Sequence, residues 1–267
     1  MPMIIIFTDL DGTLLHPRTY SFGEARSALE LMRQRDIPLV LCSSKTRAEI
    51  EVYRRRLENY HPFISENGGG VFIPDGYFPS FADGERQNGY RLRRFGSPYQ
   101  ELRNALTDLR ERLAIKVRGF GDMSVREIAY VSGLSEAEAA LAKMRDFDEP
   151  IIFEGSGEQA DVFLRAIEDR GYRWTRGRFH HITGENDKGR AATFLNDLYE
   201  KQYGPIRTIG IGDSLNDLPL LRAVDQPVLV QKENGTYEEG ISLSNLIRAD
   251  GIGPRWWNRA VMGLLSE

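Results

Sequence analysis

The chain has 267 residues, 41% of them apolar and 28% charged, with 35 Lys and Arg against 39 Asp and Glu for a net charge of −4. That length exceeds one ordinary domain and falls short of two full ones, and the mild acidity speaks against a general nucleic-acid binder, which carries an excess of basic groups. A single cysteine, Cys42, excludes an intramolecular disulfide and a cysteine zinc site; with no signal-peptide pattern and no apolar run near the roughly 20 residues that span a bilayer, a cytoplasmic protein without membrane or nucleic-acid partners is expected.

Ile4 to Thr8 predicts a strand, Phe22 to Arg35 a helix capped by Ser21, and Ile37 to Cys42 a second strand that buries the cysteine. Thr46 to Leu57 reads as a helix and Pro62 to Ser65 as a short strand. Strands rich in Ile, Val and Leu on both faces, separated by helices, predict a parallel sheet covered on both sides. The middle of the chain differs. Strand-like runs at Tyr90 to Arg93, Ile115 to Val117, Ile151 to Phe153, Tyr172 to Thr175 and Arg178 to Ile182 mix with helical patterns. Those helices run near Tyr99 to Arg112, Glu136 to Met144 and Glu158 to Arg170, and Ser135 with Glu138 forms a capping box. Arg86 to Arg118 holds nine basic and three acidic residues; it reads as a solvated face, or as a surface that attracts an anionic substrate. The end of the chain returns to the first theme. Lys188 to Gln202 is a helix, Arg207 to Ile211 a strand, Leu215 to Ala223 a helix, Pro227 to Val230 a strand and Arg255 to Leu265 a helix. The whole predicts an α/β protein. Its core is a doubly wound, Rossmann-like parallel sheet built from residues 1–83 and 184–267, with an inserted α+β domain at 84–183.

In such a sheet, ligands bind beyond the carboxyl ends of the strands. There the sequence places Asp9 and Asp11, then Ser43 and Ser44, then Glu66 and Asn67 with three glycines, then Gly212 to Asp217; Lys188 opens a helix just before the last strand. Alone, each has a plainer reading: a D-x-D-G turn, a serine helix cap, a solvated lysine, a capping aspartate. Together they suit phosphoryl transfer. A carboxylate can attack phosphorus, carboxylates can hold Mg²⁺, hydroxyl and ammonium groups can hold phosphate oxygens, and a second carboxyl can protonate the leaving oxygen. His180 and His181 point to opposite faces of their strand, so one can face a cleft.

DLDGT, a serine after the second strand, a lysine and GDSLND together resemble the four-part signature of the haloacid dehalogenase-like phosphatases. That resemblance implies Asp9 as nucleophile, Asp11 as general acid/base, and Ser43 and Lys188 as phosphate holders. Ser43 is preferred over Ser44 because it follows the strand directly. It also implies Mg²⁺ held by Asp9, Asp213 and the Asp11 backbone carbonyl, with Asp217 orienting the metal site or Lys188. The insert resembles a cap that selects substrate. VLCSSKTRAEI, SENGGGVF, LSEAEAALAKMRDFDEPIIF and GPRWWNRAV are similar to the mannosyl-3-phosphoglycerate phosphatases. By that likeness the substrate is a phosphorylated sugar-glycerate conjugate and the product mannosylglycerate. Glu66, Asn67, Gly68, Gly69 and Asn216 would line the substrate cleft, and Arg145 would hold the glycerate carboxylate; its plainer reading is a surface ion pair with Asp148 or Glu149. Glucosyl-3-phosphoglycerate, sucrose-phosphate and general sugar-phosphate phosphatases of the same superfamily are the neighbouring alternatives. A non-catalytic phospho-accepting receiver module is the remote one.

Overall fold

The computed structural model describes residues 2–266. The chain begins with β1 (Met3–Thr8), whose Ile5, Ile6 and Phe7 are fully buried, as a central strand with both faces covered must be. A short 3-10 turn, Gly23–Ala25, leads into α1 (Arg26–Gln34). Ser21 does not cap this helix; its Oγ accepts from the Gly23 N–H in a local turn. Then follow β2 (Leu39–Cys42), α2 (Arg47–Leu57), β3 (Phe63–Ser65), β4 (Gly70–Pro74), β5 (Glu85–Gln87) and β6 (Tyr90–Arg94). The insert contributes α3 (Tyr99–Leu113), β7 (Val117–Gly119), α4 (Val125–Ser132), α5 (Glu136–Ala142), β8 (Asp148–Phe153), α6 (Gly157–Asp169), β9 (Arg173–Arg176) and β10 (His180–Thr183). The last third is α7 (Lys188–Tyr203), β11 (Ile206–Gly212), α8 (Leu218–Arg222), β12 (Gln226–Gln231), β13 (Ile247–Ile252) and α9 (Gly253–Leu264).

The larger sheet runs β13-β12-β11-β1-β2-β3-β4-β6-β5, parallel from β13 to β3 and antiparallel beyond. The smaller sheet is antiparallel, β7-β8-β10-β9. The doubly wound core with an α+β insert is therefore the architecture found. One strand changes place. Tyr90 to Arg93, read from sequence with the insert, pairs with β4 in the larger sheet. Only Leu92 of that strand is buried while Arg93 and Arg94 are exposed, so its pattern fits a half-exposed strand of either sheet. Asn88 and Gly89, both at positive φ, make the β5–β6 hairpin turn.

Two apolar layers sandwich the larger sheet. One holds Met32 of α1 and Trp257 and Val261 of α9; the other holds Leu195 and Tyr199 of α7 against Phe7. Trp257 is fully buried, and its Nε1–H donates to Thr8 Oγ1 at 2.9 Å, so the closing helix holds the exit of β1 in place. In the insert, Leu102 and Leu106 of α3 and Phe163 and Ile167 of α6 cover one face of the small sheet. On the other face, Ile128 of α4 and Ala139 of α5 cluster with Phe120 beside the core. α4 had no counterpart in the sequence-based reading, although Ser124 and Glu127 form its capping box.

Candidate active site

The parallel register sets Thr8 opposite Ile211, so the residues that follow, Asp9 and Gly212–Asp213, leave the sheet side by side. Gly12 permits that approach. Its φ is +82°, and a β-carbon there would lie 2.7 Å from Asp213 Oδ2. Lys188, in the first turn of α7, is fully buried. Its Nζ donates to Asp9 Oδ1 and to Asp217 Oδ1, each at 2.6 Å. The second Asp217 oxygen accepts the N–H groups of Asp213 and Ser214 at 3.0 and 3.1 Å, which shapes the loop after β11. Burial opposes the charge on Lys188, but Asp217 and Asp9 outweigh it and hold the ammonium above its ordinary range. Burial also pushes the Asp9 carboxyl up to about 7, against the pull of Lys188. Asp213 is pushed well above the usual carboxylate range by burial and by Asp217 and Asp9.

Carboxylate oxygens of Asp9, Asp213 and Asp217 all lie within 4.8 Å of one another. Three acids face one ammonium there, too many to ionise together without a further cation. Hard oxygen donors at this spacing fit a divalent cation. Asp11 stands apart from this trio. Its carboxylate meets Lys45 Nζ at 2.9 Å, and its other oxygen is buried without a hydrogen-bond partner.

Lys45 went unread in the sequence. It is buried, bridges Asp11 and Glu49, and lies 5.2 Å from the Tyr20 ring and 5.7 Å from the Tyr53 ring. The available signal was its place directly before a T-x-x-E capping box, where Glu49 closes the N-terminus of α2.

A cleft of about 580 Å³ opens above Asp9 and Asp11, between the larger sheet's carboxyl edge and the insert. Ser44 lines it. Ser43, expected to hold phosphate, is fully buried one step back, and its Oγ accepts from the Lys45 N–H. Asn216 lines the cleft with an unpartnered Oδ1, while its amide donates to Asn67. His181 lines the cleft and bonds Asp148 at 3.0 Å, whereas His180 packs against Phe153 and Trp174. None of the nine basic residues between Arg86 and Arg118 lines it. Arg103 and Arg110 pair with Asp122, and Arg118 pairs with Glu127.

Glu66, Asn67, Gly68 and Gly69 do not line this cleft, contrary to the sequence-based expectation. They form the joint between core and insert. Glu66 is fully buried, and its carboxylate accepts the N–H groups of Asp146, Phe147 and Asp148. Glu66 and Asn67 both sit at positive φ, a conformation this network over-determines. Gly68 has φ +88°, and a β-carbon there would overlap the Asp187 carbonyl. Arg145 touches the cleft but its guanidinium is consumed. It pairs with Asp148, lies 3.5 Å from Glu66, and donates to the Ser44 carbonyl at 2.8 Å. The sequence placed Arg145 in the right wall but could not show that its charge is already spent.

The chain is similar to several known proteins. A family model for haloacid dehalogenase-like hydrolases matches residues 6–77. A glucosyl-3-phosphoglycerate/mannosyl-3-phosphoglycerate phosphatase of Methanococcoides burtonii is 45% identical over 265 residues, covering 98% of this chain and 97% of that protein. A mannosyl-3-phosphoglycerate phosphatase of Pyrococcus horikoshii is 36% identical over 227 residues, covering 85% and 90%. A solved structure from Thermoplasma acidophilum superposes with a TM-score of 0.72 at 16% identity over the full length of both chains, which is a likeness of fold.

Proposed function

The chain belongs to the glucosyl-3-phosphoglycerate/mannosyl-3-phosphoglycerate phosphatase family of haloacid dehalogenase-like hydrolases, and from that premise we propose that it is a Mg²⁺-dependent phosphatase that cleaves mannosyl-3-phosphoglycerate to mannosylglycerate and phosphate. The observation that carries the reading is the buried Lys188 ammonium, shared at 2.6 Å by Asp9 and Asp217 at the foot of the cleft. The glucosyl conjugate is a second substrate in this reading, because the 45% identical relative bears both names. The cap is taken as the residues between β6 and α7.

Asp9 attacks phosphorus; a bond forms from its carboxylate oxygen as the bond to the glycerate oxygen breaks. Lys188 favours the ionised nucleophile and fixes its direction. Asp11, held by Lys45, delivers a proton to the departing glycerate oxygen. It then takes a proton from water, which attacks phosphorus and frees Asp9 with release of phosphate. Ser44, just past β2, and the Lys188 ammonium hold the phosphate oxygens. Asp9, Asp213 and Asp217 are the side chains that would hold Mg²⁺, which neutralises phosphate charge when bound. Sugar and glycerate occupy the cleft under the cap, which excludes water around them.

Phosphate release from a panel tests the reading: the mannosyl and glucosyl conjugates, 3-phosphoglycerate, mannose 6-phosphate and sucrose 6-phosphate. One or both conjugates are expected to lead in kcat/KM. A lead by mannose 6-phosphate or sucrose 6-phosphate would overturn the substrate assignment and leave the phosphatase core standing.

Mg²⁺ is expected to raise Tm, and more at pH 8 than at pH 5. Cation and proton compete for the same carboxylates. Asp9 holds its proton to about pH 7 in the metal-free fold. A saturating cation at 100 times its Kd would add about 2.7 kcal/mol. Differential scanning calorimetry decides it; equal increments at both pH values would count against the carboxylate trio as the metal site.

A further inference from the structure

Most basic side chains that line the cleft are already neutralised. Arg18 pairs with Glu233, Lys232 with Glu238, Lys45 with Asp11 and Glu49, and Arg145 with Asp148 and Glu66. Arg178 is different. It lines the cleft, and among the described residues no carboxylate lies within ion-pair distance of it. It sits on the turn from β9 to β10, closed by the Gly177 N–H donating to the Phe179 carbonyl. That turn leans over the core loop: a β-carbon on Gly177 would lie 3.6 Å from the Asn216 amide. Arg178 Nη1 reaches across to Tyr20 Oη at 3.4 Å, a long hydrogen bond that a better acceptor would displace at little cost. Its guanidinium also lies 5.7 Å from the Phe179 ring. Gly133 leaves room beside it, with a β-carbon there 3.8 Å from Nη2.

We infer that Arg178 binds the glycerate carboxylate of the substrate and selects for leaving groups that carry one. This rests on the sugar-glycerate reading above. The planar guanidinium offers paired donors to a carboxylate. Arg145 offers none, since a ligand carboxylate there would have to displace Asp148 from a buried pair and strand its charge. The Tyr20 hydroxyl, freed from accepting the Arg178 N–H, donates to the same carboxylate. One ligand group then contacts the core through Tyr20 and the insert through Arg178. The phosphate stays with Asp9 and Lys188, so the two anionic ends of the substrate meet two separate cations.

The test compares wild type, Arg178→Ala and Arg178→Lys on two substrates. One is mannosyl-3-phosphoglycerate. The other is its neutral counterpart, with a hydroxymethyl group in place of the carboxylate. Wild type is expected to prefer the carboxylate substrate. Arg178→Ala is expected to lower kcat/KM on that substrate roughly 10- to 100-fold, mainly through KM, and to lower it far less on the neutral substrate. Arg178→Lys recovers part of the loss. Arg178 is exposed, so the variants keep the wild-type Tm. A preference that survives Arg178→Ala, or an equal loss on both substrates, overturns the assignment alone. A wild type with no preference between the two overturns the sugar-glycerate reading and the assignment with it.

Discussion

Asp9→Asn is expected to abolish phosphate release, lowering kcat by at least about 10⁴-fold, with the fold intact. The amide has the same shape and can still face Lys188, which keeps Asp217 as its charged partner. It cannot form an acyl phosphate. Stability should move the other way. In the metal-free native state burial raises the Asp9 carboxyl to about 7 from an ordinary value of 3.8. Native protein therefore keeps a proton that the unfolded chain has released. Stability from this group is present at low pH and is lost as pH rises from about 4 to 7. Asn carries no such proton. In chelator, the Tm of Asp9→Asn minus that of wild type should grow more positive across that window. Turnover near the wild-type rate in a folded Asp9→Asn protein would exclude the covalent route.

The residues around Asp9 were legible because their signals are local. Each stands just past a strand whose apolar run marks it, and parallel topology brings all strand ends to one edge. Gly12 and Gly212 belong to the same short motifs for steric reasons: a β-carbon on Gly12 would meet the Asp213 carboxylate, and one on Gly212 the Asp217 side chain. What was not legible depends on partners distant in sequence. Glu66 follows β3, as a ligand-binding residue would, yet its acceptors are used by backbone 80–82 positions further on. The pair of Arg145 with Asp148 was open in the sequence, three positions apart, but its second partner, Glu66, lies in the other half of the molecule. The strand at Tyr90–Arg94 has a half-exposed pattern that names no particular sheet. Lys45 and Arg178 fall in the same class. A buried lysine and an unpaired arginine look alike in sequence, and only the surrounding carboxylates tell them apart.

Glu66→Ala separates the two readings of that residue. As a cleft residue it would raise KM and leave stability alone. As the structure places it, removal strands the buried N–H donors of Phe147 and Asp148 and the half-buried one of Asp146, and takes one of two carboxylates from the buried Arg145 guanidinium. Breaking such a buried charged cluster costs about 3–5 kcal/mol, or about 6–20 °C in Tm for a chain of this size. Part of that would return if the positive-φ conformations at Glu66 and Asn67 relaxed, since the acceptor that held them is gone. Glu66→Gln keeps the volume and one acceptor oxygen but turns an NH₂ toward donors, so it should fall between Ala and wild type. The local readout is amide exchange. The N–H groups of 146–148 should lose protection in Glu66→Ala well before those of β1 or β11, because these three lose their only carboxylate acceptor while the parallel ladder is untouched. An unchanged Tm with intact protection at 146–148 would return Glu66 to the cleft. Loss of both fixes it as the link through which the core holds the cleft wall that carries Arg145 and His181, both bound to Asp148.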